Sequence, residues 1–346
     1  MLNLLWKRWD QFWFSSSDRY QYGLFRILLV IGLFVVAWDE WQFGNLSALS
    51  SAPVEFTAPT FLVQLLHLSI PLSPELVTPL RWLLRILILT SALGLATRFS
   101  LIALATLNLY LNSLINSFGF IDHATTLPSL TLLVLALAPG VAQFSLDALI
   151  AHIRQNGWTF PKAFKPLAGS FPVWPAHLIL VIMALAYFSS GYSKIRFGSL
   201  TWMDGRTLAT YLGDPRPADY FVAQPNLDAQ ARWRDGVGLG SFVYSTGNPT
   251  RLARALSTSM PAMALLSIFT VLFEITFPLV LIFRRLLPIY LIMGVFFHVG
   301  IMLTLSLYSF YSYLVCYLLF VDWKQLETLV VRAIPRWMRT KSVESV

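Results

Sequence analysis

The sequence predicts an all-α fold: a polytopic integral membrane helical bundle of about eight transmembrane helices with a small extracytoplasmic helical cap. Three observations carry this. The 346 residues are 56% hydrophobic and only 12% charged, with mean hydropathy +0.64, whereas about a quarter of a soluble chain is charged. Apolar runs recur that approach the roughly twenty residues needed to cross a bilayer. Lys and Arg gather beside alternate ends of these runs. Pro, Gly and aromatic residues are scattered without period, which excludes collagen-like, low-complexity and disordered readings.

Taken in order, the runs are Tyr22 to Trp38, Leu83 to Thr97, Leu101 to Ser117, Leu127 to Gln143, Pro175 to Tyr192, Met260 to Phe283, Leu286 to Leu307 and Phe310 to Val321. The second and last are short. Phe61 to Ile70, closed by Pro59 and Pro71, is too short to span and reads as an interfacial or re-entrant helix. Met1 to Trp9 is basic and aromatic with no small-residue cleavage site after it, so a retained signal anchor is expected.

Orientation follows from the basic residues. Lys7, Arg8 and Arg19 precede the first run and none falls between Asp39 and Leu80, which places the N-terminus inside. Arg98, Arg154, Lys162, Lys165, Arg284, Arg285 and the tail from Lys324 to Lys341 fall on that same side. The organisation expected is a cytoplasmic segment 1–21, a membrane domain 22–323 with an outer loop 194–259, and a basic cytoplasmic tail 324–346. That corresponds to a multi-pass protein of a bacterial inner or plasma membrane with both termini cytoplasmic, and the lipid bilayer is its first partner. The net charge of +8 belongs to this positive-inside pattern and implies no nucleic acid.

Ionisable groups inside a bilayer cost about 2.5 kcal/mol or more each, so they are the first candidates for function. Four stand out: His123 in Ile121-Asp122-His123 at the outer mouth of the fourth run, Lys194 at the outer end of the fifth, Glu274 in the sixth and His298 in the seventh. Each also has a structural reading. A lysine at a helix end snorkels to the interface, Asp122-His123 caps a helix, and His298 is a hydrogen-bonded core histidine. Glu274 partners Arg26, Arg85 or His298, or stays a neutral acid. The five histidines show no metal-ligand spacing, and the lone Cys316 gives neither a disulfide nor a thiolate metal site, so no metal is expected. Gly236 to Gly240 follows no strand and opens no nucleotide-binding unit.

Tyr187-Phe188-Ser189-Ser190-Gly191-Tyr192-Ser193-Lys194-Ile195, followed by Trp202, resembles a segment of the vitamin K-dependent γ-glutamyl carboxylases and of the horizontally transferred transmembrane (HTTM) family around them. In those enzymes an aromatic-rich helix ends in a glycine and a lysine pair. The second, catalytic lysine falls on Lys194, and Ser193 stands in place of the first. Further matches follow in order: Arg26 after Asp18-Arg19; Ile121-Asp122-His123 with Pro139 and Ser145-Leu146-Asp147; Phe297-His298 with Phe310 and Tyr313 beyond; and Glu274 as a glutamate common in the family. The resemblance covers the membrane domain and not the large luminal domain of the animal carboxylases.

The resemblance implies a membrane enzyme that oxygenates vitamin K hydroquinone or a related menaquinol without metal, and that carboxylates glutamate in a peptide or acts on a small molecule. A neutral Lys194 amine would remove the quinol proton. A lysine buried with few anionic neighbours has its basicity tuned for this. His123 and His298 would hydrogen-bond the quinone oxygens, and Tyr187, Tyr192, Phe297, Glu274 and Arg26 would line the pocket. The competing expectation is an HTTM protein that binds or modifies a lipid or quinone otherwise, or a non-catalytic membrane module.

Overall fold

A computed structural model describes residues 2–35, 59–68, 72–117, 126–157, 170–213, 250–305, 310–323 and 325. Helix α1 (Leu2–Phe14) and strand β1 (Ser16–Ser17) lead into α2 (Tyr22–Val35). The short α3 (Phe61–Leu65) precedes α4 (Pro74–Leu93), α5 (Thr97–Asn116), α6 (Thr126–Leu137) and α7 (Leu146–Asn156). Strand β2 (Phe171–Pro172) opens the second half, followed by α8 (Trp174–Gly198), a 3₁₀ turn Ser199–Asp204 and α9 (Arg206–Gly213). Then come α10 (Arg251–Ser257), α11 (Met260–Thr276), α12 (Leu279–Ile282), α13 (Leu287–Leu305) and α14 (Tyr311–Tyr317). Among the described residues the fold is all-α apart from the antiparallel β1·β2 pair, in which Ser16 faces Pro172 and Ser17 faces Phe171.

Among the described residues four helices are long and apolar enough to cross a membrane: Pro74–Leu93, Thr97–Asn116, Trp174–Gly198 and Arg284–Leu305, the last counted with its 3₁₀ turn. A fifth candidate joins α10 to α11 through a bend of 103°. Their outer faces carry Ile86, Leu89, Phe99, Leu185, Ile292 and Phe296 exposed, the inverse of a soluble helix and the pattern of a lipid-facing one. Three further apolar helices fall below spanning length among the described residues: α2 with 14, α6 with 12 and α14 with 7.

Several boundaries differ from the sequence expectation for identifiable reasons. The second span begins at Pro74 rather than Leu83, because Pro and Glu75 suit a first turn while Arg81 interrupts the apolar count just before Leu83. It ends at Gly94, whose φ of +69° is left-handed, so Thr97 opens the next helix instead of closing this one. The fourth run stops as a helix at Leu137, not Gln143. The fifth runs past Tyr192 and Lys194 to Gly198. The sixth breaks at Phe277-Pro278.

In the core, α8 packs on α11 and α6, α5 lies between α4 and α6, and α2 sits against α4 and α14. Polar pins cross these seams: Asn108 bonds Ser129, and Asn112 Nδ2 donates to Thr126 Oγ1 at 3.1 Å. Outside the main core, Leu212, Ala253 and Met263 join α9, α10 and α11 in a small apolar cluster.

Candidate functional site

The site grows from one face of α8. Tyr187, Ser190, Gly191 and Lys194 are spaced i, i+3, i+4, i+7 and so share a stripe, and that stripe meets α11. Gly191 allows the approach: a Cβ there would lie 2.9 Å from Glu274 Cβ and 3.1 Å from the Ile275 backbone nitrogen. Helix side chains lean toward their own N-terminus. Lys194 therefore folds back over Ser190 rather than reaching outward.

Its ammonium is fully engaged. Nζ donates to Ser190 Oγ at 2.9 Å and to Glu274 Oε1 and Oε2 at 2.8 and 2.7 Å, and Ser190 Oγ donates to Glu274 Oε1 at 3.2 Å. The Glu274 side chain is 4% exposed and that of Lys194 22%. The Trp202 ring lies 5.4 Å from Nζ. Two expectations change here. Lys194 does not snorkel to the interface, and it does not lack an anionic neighbour, because Gly191 brings Glu274 onto it. Glu274 pairs with Lys194, not with Arg26, Arg85 or His298.

Two turns back along α8, about 10 Å by helical rise, a second network is buried. Tyr187 Oη meets His298 Nε2 at 2.6 Å and also bonds the Tyr317 hydroxyl. The His298 ring stacks on Phe310 at 5.5 Å and tilts against Tyr313 at 4.8 Å. Phe273, beside Glu274 in sequence, touches Tyr187 at 5.1 Å and Phe297 at 5.3 Å. The acid-base triad and the phenol-imidazole network are thus neighbours on one α8–α11 seam, with Lys194 bonded into the first and His298 into the second.

Other candidates lie elsewhere. Tyr192 is exposed on a different face of α8, stacked on Phe188 at 6.2 Å, with its hydroxyl accepting from Arg196. Arg26 is fully buried where α2 meets the α6–α7 connection, donating to Phe144 O at 2.9 Å and Gln143 O at 3.4 Å. Both residues therefore leave the pocket assigned to them, Tyr192 because five positions turn a helix to another face and Arg26 because its partners are those carbonyls. His123 and Asp122 lie outside the described residues. Ser145 caps α7 by accepting from Ala148 N at 3.0 Å. Asp147 accepts from Ala96 N, Thr97 N and Thr97 Oγ1 at 2.9, 2.7 and 2.7 Å, which clamps the start of α5. Burial pushes the Asp147 carboxyl up, but the Thr97 and Ala96 bonds and the Arg26 charge bring it below the ordinary 3.8.

Tyr317 and the bridging role of Ser190 escaped sequence reasoning. Tyr317 follows Tyr313 by one helical turn, and that spacing was the available signal. No group of three or more His, Cys, Asp or Glu side chains suited to a metal converges among the described residues. Comparison with family models, with curated proteins and with solved structures finds no match to this chain.

Proposed function

We propose that the protein is a quinol-oxygenating membrane enzyme of the HTTM type, in which Lys194 removes a hydroxyl proton from a reduced quinone related to vitamin K hydroquinone. The observation that carries this reading is the Lys194–Ser190–Glu274 triad on the same α8 face as the Tyr187–His298–Tyr317 network. An ammonium cannot act as a base until it has shed a proton. Glu274, at hydrogen-bond distance, takes it directly or through Ser190, and the neutral amine then accepts the quinol proton. The aromatic rings of Trp202, Phe273 and Phe297 suit a flat naphthoquinone. His298 and Tyr187 are donors for its developing phenolate. The reduced quinone supplies the electrons for oxygenation by dioxygen, and carboxylation of a glutamate in a peptide is a second step of the same proposal.

The proposal includes eight membrane passages with both termini inside, as the Lys and Arg distribution favours. Cysteine labelling at Ser241 from outside and at Ser342 from inside tests that arrangement. For the chemistry, protein in nanodiscs is given vitamin K hydroquinone and dioxygen, with and without a Glu-containing peptide and labelled carbon dioxide. Epoxide in the wild type and none in Lys194→Ala supports oxygenation, and label in the peptide adds carboxylation. One observation favours a second reading. Lys194 Nζ lies within hydrogen-bond distance of Ser190 Oγ and of both Glu274 carboxylate oxygens, which also suits a non-catalytic pin between α8 and α11. Absence of any quinone product under conditions where a known carboxylase turns over favours the pin.

A further inference from the structure

At the opposite end of α8, about 25 Å from Lys194 by helical rise, lies a separate cleft of about 410 Å³ bounded by Phe12, Arg19, Tyr20, His177 and Arg284. The groups come from α1, the α1–α2 connection, α8 and the turn before α13, so the cleft exists only in the folded chain. Two fixed cations face it. Arg19 spends Nη2 on the Phe320 carbonyl at 2.6 Å and leaves Nε buried with no hydrogen-bond partner. Arg284 lies over the Phe12 ring at 4.8 Å and leaves Nη2 buried with no partner. Neither makes an ion pair with a carboxylate among the described residues. Both charges act on the Tyr20 hydroxyl, which burial pushes up and which they pull down.

The surroundings say where such a ligand comes from. Helix α1 beside the cleft presents Trp6, Trp9 and Phe14 to the outside, the amphipathic aromatic pattern that seats a helix at headgroup depth. Two guanidinium groups beside a partly dry cleft, with no carboxylate paired to them among the described residues, call for an acceptor with several oxygens and a negative charge. Phosphate meets that need better than a carboxylate, because its three or four oxygens can serve both guanidinium groups at once where a carboxylate offers two. The volume lies at the small end of ligand pockets, room for a phosphate and a few attached carbons.

We infer that this cleft is a phosphate-binding site, built from Arg19 and Arg284, that takes a phosphate headgroup or a free phosphoester at the membrane surface. The test uses the full chain in two arms: nanodiscs of the phosphate-free lipid digalactosyldiacylglycerol with and without phosphatidylglycerol, and neutral detergent with inorganic phosphate or glycerol 3-phosphate. Bound lipid is read by native mass spectrometry and bound soluble phosphate by calorimetry. Arg284→Gln is expected to weaken binding about tenfold, the effect of one lost charge-assisted hydrogen bond. Arg284→Lys, which keeps the charge and loses the fork, should lie between it and wild type. Arg251→Gln, on an exposed helix remote in sequence, should change nothing. Binding in the nanodisc arm alone assigns a lipid headgroup, and binding in both arms assigns the phosphate itself; either supports the site when Arg284→Gln weakens it. Equal retention by wild type and Arg284→Gln, or no binding in either arm by wild type, overturns it. Melting curves of each variant separate loss of the ligand from loss of the fold.

Discussion

The most informative perturbation is the removal of one partner of the Lys194–Glu274 pair. At 2.7 Å and an effective dielectric of about 20, the bare attraction is about 6 kcal/mol. Desolvation of the two ions costs several kcal/mol each and cancels most of it. The net worth of the intact pair is therefore small, whereas an orphaned charge is expensive: breaking a buried pair costs about 3–5 kcal/mol. Lys194 keeps a side chain 22% exposed and can relax toward the interface, so Glu274→Gln should cost about 2–3 kcal/mol, less than a fully buried pair. The double variant Lys194→Gln with Glu274→Gln should be more stable than either single one, with a coupling of about 1.5–3 kcal/mol. Reversible unfolding in bicelles measures all four corners of the cycle. Additivity within about 0.5 kcal/mol would refute the reasoning, since two uncoupled side chains cannot be one ion pair.

Other expectations follow from neighbouring geometry. Gly191→Val drives a branched side chain into Glu274 Cβ and Ile275 and should destabilise by about 1–3 kcal/mol, measured by the same unfolding assay. Tyr187→Phe removes the hydroxyl shared by His298 and Tyr317 and should cost about 1–2 kcal/mol of stability, with a vibrational shift of the remaining tyrosine O–H modes as an independent readout. Asp147 has a folded-state carboxyl below 3.8. Its stabilisation is therefore present above that value and fades as pH falls from it through the lower folded one. Unfolding followed from about pH 5 to about pH 2 should show that slope in wild type and lose it in Asp147→Asn.

How far the sequence carries the fold is clearest at single positions. The apolar runs reveal most of the helices, but α4 loses its first half to Glu75 and Arg81, and α8 loses its end to Ser193, Lys194 and Arg196. In both cases a linear hydropathy count cannot know that polar residues face a partner helix or a helix end. Lys194, Glu274 and His298 are conspicuous because charge inside an apolar run demands an explanation. Which of them meet is set by packing: Lys194 and Glu274 are 80 residues apart and are brought together by the Gly191 contact. The Arg19–Arg284 cleft was invisible for the same reason. Its residues read only as topology signals until α1 folds back on α8.

The most direct test of quinol oxygenation by Lys194 is the mass of the quinone product formed under isotopically labelled dioxygen. Purified protein in nanodiscs with vitamin K hydroquinone should yield epoxide carrying the heavy oxygen, and Lys194→Ala should yield none while retaining its helical content. Unlabelled quinone alone from the wild type, or labelled epoxide formed equally by Lys194→Ala, would contradict a lysine base and leave the Lys194–Glu274 pair as a structural pin.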